Sequence, residues 1–181
     1  MTQGFTLFET AIGTCGVAWN ETGLIGVQLP QVEGGDPCLR LARRYPEAAA
    51  TEPPPAVAEA IAGMQALLAG EKRDLKEIVL DDGGVDPFNA QVYAIARDIP
   101  PGQTLTYGDI ARRIGDVAVS RAVGQALGSN PWPIVVPCHR VLAAGGRKGG
   151  FSAPGGADTK LRMLEIEGAL APETLPLFGG L

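Results

Sequence analysis

The sequence predicts a mixed α/β fold of the α+β type, with a small α/β domain over residues 1–84 and a mostly helical domain over residues 85–170. Three observations support this. The first thirty residues hold short β-rich runs, apolar residues later recur at helical spacing, and residues 81–84 have the composition of a linker. Residues 171–181 are predicted to form a tail. With 181 residues and 45% hydrophobic content, the chain can bury a core.

Strands and helices alternate in the predicted N-terminal domain. Residues 20–23 offer turn chemistry between two β-rich runs, which indicates a hairpin. Asp36-Pro37 opens a helix, because proline fits the first helical turn, and Gly70 can end the following helix. We expect strands over residues 5–8, 15–19, 24–29 and 75–80, and helices over residues 36–45 and 57–68.

In the C-terminal domain, two short helices joined by a tight turn predict a helix-turn-helix. Asp86-Pro87 begins the preceding helix, Thr106 can cap the first helix of the pair, and Ser120 can cap the second. Small residues on the exposed side of the second helix suit approach to a minor groove better than readout of base edges; tight packing inside the domain is the alternative. We also expect a buried strand-like run over residues 134–136 and a final helix over residues 158–167.

Composition and charge exclude several classes of protein. No apolar run is long enough to span a membrane, and the N-terminus lacks the features of a signal peptide. Three widely spaced cysteines and one histidine favour neither a disulfide framework nor a metal site, so we expect a cytoplasmic protein without a bound metal. The formal net charge is −5, yet residues 97–148 carry seven basic and three acidic side chains, which permits contact with phosphate.

One tetrapeptide, Pro137-Cys138-His139-Arg140, carries the strongest chemical signal. His139 is the only histidine of the sequence and directly follows a cysteine. A cysteine reacts as the thiolate, and imidazole is the side chain best suited to take the thiol proton near neutral pH. The pair therefore indicates an activated nucleophile. The alternative is a chance pair of neighbours in a buried segment.

Motifs around this pair resemble the O6-alkylguanine-DNA alkyltransferases, also called methylated-DNA–protein-cysteine methyltransferases. They are Tyr107, the run SRAVGQALGSNP, the run IVVPCHRV, a glycine-rich loop with Ser152, and Glu167-Gly168, within residues 86–168. The resemblance implies an N-terminal domain of ribonuclease-H-like form and a C-terminal winged-helix-like domain. It implies stoichiometric, irreversible transfer of an alkyl group from O6 of guanine in double-stranded DNA to Cys138, without a cofactor. O4-alkylthymine stays open as a second substrate.

The resemblance also implies roles at the reacting centre. His139 would remove the thiol proton of Cys138 through a water, and Glu167 would orient His139 and stabilise its charge. Tyr107 would donate to the guanine ring as negative charge develops on the leaving base. A packing role is the alternative for Tyr107.

A second set of residues is predicted to bind the DNA or the flipped base. Arg121 would fill the space that the base leaves in the stack, with a plain phosphate contact as the alternative. Asn130 would tie the end of the helix to the cysteine segment. The complete predicted set is Arg121, Ala122, Gly124, Asn130, Arg140, Val141 and Ser152.

Three other functions fit parts of the pattern. Alkyltransferase-like proteins bind lesions without catalysis, but they carry tryptophan at the position of the cysteine. A helix-turn-helix regulator would need longer side chains to read the bases. A cysteine hydrolase would need an acyl pocket. In the tail, residues 174–178 loosely resemble the short peptide that docks proteins onto the bacterial sliding clamp; a leucine-rich tail without this partner is the alternative.

Overall fold

The computed structural model describes residues 2–31, 34–143 and 156–169. Within these ranges the chain forms a mixed α/β structure with two small sheets. The strands are β1 (Gly4–Thr10), β2 (Gly13–Trp19), β3 (Leu24–Gln28), β4 (Ala49–Ala50), β5 (Leu105–Thr106) and β6 (Val141–Leu142). The helices are α1 (Pro37–Arg44), α2 (Pro55–Leu68), α3 (Pro87–Arg97), α4 (Tyr107–Ile114), α5 (Ser120–Gly128) and α6 (Gly156–Ile166).

The N-terminal sheet has the strand order β3-β2-β1-β4. The first three strands form an antiparallel meander, and β4, which the sequence did not predict, pairs with β1 in parallel. Side chains alternate between the two faces of β2: Cys15 and Val17 are buried with residues of α2, whereas Ala18 is buried with Leu41 of α1. The sheet therefore lies between α1 and α2.

Local signals set most helix ends where the sequence predicts them. The carboxylates of Asp36 and Asp86 accept backbone N–H groups in the first turns of α1 and α3. Thr106 and Asp109 form a reciprocal capping box at the start of α4. Gly115 ends that helix in the left-handed region, at φ 116°, which glycine adopts without strain.

The second helix of the pair begins without the predicted cap. Ser120 is itself the first residue of α5, and its hydroxyl donates to the carbonyl of Val117. The side chain of Asp116 instead caps a 3₁₀ turn, Val117–Val119, that runs directly into α5. The prediction that Ser120 caps the helix is therefore wrong, because the 3₁₀ turn supplies the start of the helix.

Two segments predicted as strands form turns. Leu75 has φ 58° and Ile134 has φ 79°, both in the left-handed region that strands do not use. The guanidinium of Arg97 donates to the carbonyl of Leu75 and to two further carbonyls of that turn. Residues 134–136 are buried, as are Leu75 and Ile78 of the first segment. That segment meets the N-terminal sheet at its end, where Leu80 forms an isolated parallel bridge with Leu24 of β3.

One cluster of buried side chains runs through both halves of the described chain. It includes Val17 and Met64 from the first half and Val92, Trp132 and Cys138 from the second. The division at residue 84 and the ribonuclease-H-like form of the first half stay predictions. No described helix combines the length and the apolar character needed to cross a membrane.

Candidate active site and nucleic-acid interface

The helix-turn-helix consists of α4, the 3₁₀ turn and α5. The side chain of Arg121 is exposed at the start of α5, and Ala122 and Gly124 are partly exposed. A Cβ atom built on Gly124 would meet nothing within 4 Å, so this part of the helix presents open, small-residue backbone. Packing therefore does not require glycine at position 124, and the surface can approach another molecule closely.

Cys138 begins a 3₁₀ turn, Cys138–Arg140, at the end of the buried turn that follows α5. The backbone N–H of Cys138 donates to the carbonyl of Val136 at 2.8 Å. The side-chain amide of Asn130 donates to the same carbonyl at 2.9 Å, as the predicted tie between helix end and cysteine segment requires. The cysteine is 6% exposed. Two hydrogen bonds thus fix the backbone that carries the thiol.

The carboxylate of Glu167 lies in the core and joins His139 to Arg140. Its Oε2 atom lies 2.8 Å from Nε2 of His139. Arg140 donates from Nε to Oε1 at 2.9 Å and from Nη2 to Oε2 at 2.7 Å, and its Nη1 donates to the carbonyl of Ile99 at 2.7 Å. Glu167 is 2% exposed and His139 is fully buried. The sequence-predicted pair of His139 and Glu167 is therefore in direct contact.

The protonation of Glu167 follows from these contacts. Burial alone would raise the pKa of its carboxyl group, but hydrogen bonds from Arg140 and His139 outweigh burial and lower the pKa to about 2. An ionised carboxylate only accepts hydrogen bonds. Nε2 of His139 must then carry the proton, which leaves Nδ1 as the atom with a free lone pair.

His139 has the properties of a base. Burial lowers the pKa of its imidazole, against the opposing effect of Glu167, so the ring is neutral near pH 7. Its Nδ1 atom is buried and has no hydrogen-bond partner among the described residues. A neutral imidazole with an unused lone pair beside a cysteine can accept a proton.

The thiol of Cys138 is subject to opposing effects. Burial raises its pKa above the usual 9.0, while a hydrogen bond from Asn130 and the charge of Lys160 favour the thiolate. Because the net shift is upward, the resting group is a thiol. It therefore needs a base before it can act as a nucleophile.

Sequence reasoning missed Lys160. Its side chain is 1% exposed, and Nζ donates to the carbonyl of Val141 at 2.7 Å. Burial lowers the pKa of this ammonium to about 8, and the nearby Cys138 opposes that shift. Lys160 precedes the buried residues Met163 and Leu164 of α6 by three and four positions, so all three lie on one face of the helix. A lysine on that buried face was the only signal that the sequence offered.

Tyr107 and Val141 border the cysteine segment. Tyr107 is the first residue of α4 and is half-buried; burial, followed by the effect of Cys138, raises the pKa of its phenol, which stays a hydrogen-bond donor. The backbone of Val141 is largely engaged, since its N–H donates to the carbonyl of Cys138 and its own carbonyl accepts from Lys160. Val141 also pairs with Leu105, between β6 and β5.

Arg140 does not lie where the sequence predicts. It is 2% exposed, and its guanidinium is held by Glu167 and Ile99 inside the protein, so its burial contradicts the prediction that it binds DNA. Ser152 and the glycine-rich loop lie outside the described residues, as does the tail. Among the described residues, no three His, Cys, Asp or Glu side chains are grouped so that they could hold a metal ion.

Comparisons with known proteins cover both halves of the chain. Residues 87–169 match the family model for the DNA binding domain of 6-O-methylguanine DNA methyltransferase. Over 128 residues, the chain is 43% identical to the methylated-DNA–protein-cysteine methyltransferase of Mycolicibacterium paratuberculosis, which covers 71% of this chain and 75% of that protein.

Two solved structures extend the similarity to almost the full chain. The crystal structure of Mycobacterium tuberculosis O6-methylguanine methyltransferase has a TM-score of 0.74 at 31% identity, covering 98% of this chain and 99% of that one. The structure of Mycobacterium tuberculosis OGT in complex with DNA has a TM-score of 0.72 at 33% identity, covering 97% and 99%. The mixed α/β architecture is thus shared over both halves.

The buried carboxylate gives a prediction about stability. Glu167→Gln should lower the free energy of unfolding at pH 7 by about 3–5 kcal/mol, because it leaves the Arg140 guanidinium buried without its counter-ion. Glu165→Gln, an exposed change at the end of α6 two residues before Glu167, is the matched control and should have little effect. Urea unfolding of both variants measures the difference.

The difference in the free energy of unfolding between wild type and Glu167→Gln should depend on pH. The folded-state pKa of about 2 lies below the ordinary 4.5, so the carboxylate stabilises the fold above about pH 4.5 and loses this effect as the pH falls toward 2. The difference between these two pKa values corresponds to roughly 3 kcal/mol in the free energy of unfolding. The gap between wild type and Glu167→Gln should narrow over this range; a gap that stays constant would contradict an ionised, buried Glu167.

Proposed function

The chain belongs to the methylated-DNA–protein-cysteine methyltransferase family, and we propose that it repairs DNA by single, irreversible transfer of an alkyl group from O6 of guanine to Cys138. The observation that carries this is the contact between His139 and the ionised Glu167, which leaves Nδ1 as the free base beside a protonated cysteine. Transfer of the thiol proton to Nδ1 of His139 would convert Cys138 to the reactive thiolate. The helix-turn-helix beside it supplies a surface for double-stranded DNA.

Access to the lesion requires base flipping, because an O6-alkyl group cannot reach a buried thiol from inside a stacked duplex. We assign Arg121 to the space that the flipped base leaves, since its planar cation is exposed at the start of α5. Ala122 and Gly124 on the same helix would allow α5 to approach the minor groove closely. Ser152 would contact the flipped base.

Transfer then proceeds with balanced atoms and charges. Nδ1 of His139 takes the thiol proton of Cys138 through a bridging water, and the charge that forms on the imidazole is stabilised by Glu167. The thiolate sulfur bonds to the alkyl carbon as the bond between that carbon and O6 breaks, and the bonding pair leaves with the guanine. The leaving guanine takes up the proton that His139 received from the thiol, which returns the imidazole to its neutral form, so no other reactant is needed.

Two groups would stabilise charge during this step. Tyr107 is half-buried and protonated, so it can donate to the ring of the leaving guanine. The ammonium of Lys160 favours the thiolate form of Cys138 before attack. The product is a thioether, which water does not cleave, so each protein molecule can react only once.

We also propose that the protein acts in the cytoplasm, because all three cysteines are free thiols.

The proposed reaction predicts the site of modification. After incubation with duplex DNA that contains O6-methylguanine, intact-protein and peptide mass spectrometry should find one added methylene on Cys138, and none in Cys138→Ala. Cys15 is an internal control: it is fully buried and burial raises its pKa to about 11, so it should stay unmodified.

Two outcomes would count against this reaction. Protein that stays unmodified while it still binds the lesion would favour a non-catalytic lesion binder. Methyl groups distributed over Cys15 and Cys38 as well as Cys138 would indicate nonspecific alkylation, and the assignment of Cys138 as the acceptor would be dropped.

A variant of Arg121 tests whether this residue supports base flipping or only contributes a positive charge to DNA binding. Arg121→Ala should slow transfer from duplex DNA by about 10- to 100-fold, the equivalent of the few kcal/mol that hold a base outside the stack. Transfer from the free base O6-methylguanine, which needs no flipping, should be unchanged. Arg43→Ala, an exposed arginine of α1, is the control. If Arg121→Ala only weakens binding to all DNA and lowers the salt slope by about 1, Arg121 is a phosphate contact.

A further proposal concerns a partner. The tail segment 174–178 has the sequence Thr-Leu-Pro-Leu-Phe, and we propose that it contacts the bacterial sliding clamp. Deleting residues 172–181 should abolish co-elution of the protein with purified clamp and leave the methylation of Cys138 unchanged. Equal co-elution of the full and shortened chains, or no co-elution of either, would refute the proposal.

A further inference from the structure

Trp132 joins the N-terminal sheet to the segment that precedes Cys138. Its indole Nε1 donates to the carbonyl of Leu24 in β3 at 2.8 Å, and the backbone N–H of Val27 in the same strand donates to the carbonyl of Pro131 at 2.9 Å. The side chain is 2% exposed, and its ring lies edge-on to that of Tyr93 with centroids 6.2 Å apart. The edge of β3 thus holds the turn that follows α5.

The main chain of Trp132 organises the loop that carries the thiol. Its N–H donates to Oδ1 of Asn130 at 2.9 Å, and its carbonyl accepts from the N–H of Val136 at 2.8 Å. The carbonyl of Val136 in turn accepts from Nδ2 of Asn130 and from the N–H of Cys138. A displacement of Trp132 would therefore change the position of Asn130 relative to Cys138.

We propose that Trp132 is a positioning residue for the thiol, through which the N-terminal sheet holds Asn130 in place to hydrogen-bond Cys138. Sheet strands are stiff compared with loops, and a site is more accurate when its supporting residues are locked by such elements. The first half of the chain then contributes to the reaction without touching the DNA or the reacting atoms. The part of this inference that concerns alkyl transfer rests on the proposed function. The part that concerns the reactivity of the Cys138 thiol does not depend on the proposed function.

Removing the indole N–H isolates this connection. The carbonyl of Leu24 also accepts from the N–H of Asp81 at 2.9 Å, so it stays hydrogen-bonded when the indole donor is lost. The hydrogen bond from Asn130 favours the thiolate, so a misplaced Asn130 raises the pKa of Cys138. The other titratable groups around the thiol are Tyr93 of α3, Tyr107 of α4, Lys160 of α6 and the neighbouring His139, and all four side chains are retained in such a variant. Phenylalanine at position 132 alters the edge-on contact with Tyr93, whereas a ring of the same shape as indole keeps it.

The experiment compares Trp132→Phe with Trp19→Phe. Both changes replace a buried tryptophan, but Trp19 lies in β2 and has no described hydrogen bond to the cysteine loop. Iodoacetamide labelling of Cys138 should shift to higher pH in Trp132→Phe and slow by roughly tenfold at pH 7, whereas Trp19→Phe should match wild type. In single-turnover alkyl transfer, the limiting rate of Trp132→Phe should fall by the same factor as its labelling rate. The protein concentration that gives half of the limiting rate should stay constant.

A second variant keeps the test decisive if Trp132→Phe does not fold. Replacing Trp132 with benzothienylalanine, in which sulfur takes the place of the N–H, preserves the shape of the ring and removes only the donor. A wild-type pH profile in this variant, an equal shift in Trp19→Phe, or a change confined to the half-saturating concentration would overturn the proposal. If wild-type protein transfers no alkyl group, the labelling profile still decides the role of Trp132.

Discussion

The ionised carboxylate of Glu167 is the interaction on which the rest of the site depends. A carboxylate that is 2% exposed is tolerated only where hydrogen bonds and an opposite charge replace water, and Arg140 and His139 supply both. The same residue also receives a bond from outside the site, since Lys72 donates to its backbone carbonyl. The end of α6, the cysteine segment and the loop before α3 are thereby fixed to one another around a single charge.

This charge decides which atom of His139 can act. With Glu167 ionised, Nε2 is the donor and Nδ1 the acceptor, so the network determines the tautomer before any substrate binds. Burial of the thiol acts in the opposite direction from activation, because it raises the pKa of Cys138. The base, Asn130 and Lys160 offset that cost. The cysteine is consequently unreactive in isolation but can be activated by one proton transfer, which suits a protein that can react only once.

Local chemistry could be predicted from the sequence, whereas distant partners could not. The helix starts at Asp36, Asp86 and Thr106 were correct because a cap and its helix are neighbours in the chain. The strand predicted over residues 75–80 is mostly a turn that meets the sheet at Leu80, and the donor that satisfies three of its carbonyls, Arg97, lies about twenty residues away in the sequence. The helix-turn-helix was predicted from two short helices and the tight turn between them, whereas the pairing of His139 with Glu167 was anticipated only through the family resemblance.

Arg140 illustrates the same limit, and its burial changes the view of the DNA surface. The seven basic side chains of residues 97–148 suggested an electrostatic contact, but Arg97 and Arg140 donate to groups inside the protein and Arg112 pairs with Asp109. Fewer positive charges are therefore available to neutralise phosphates than the sequence count implies. For a chain with a net charge of −5, affinity must then depend on close fit. The open backbone at Gly124, on the same helix as the exposed Arg121, offers that fit.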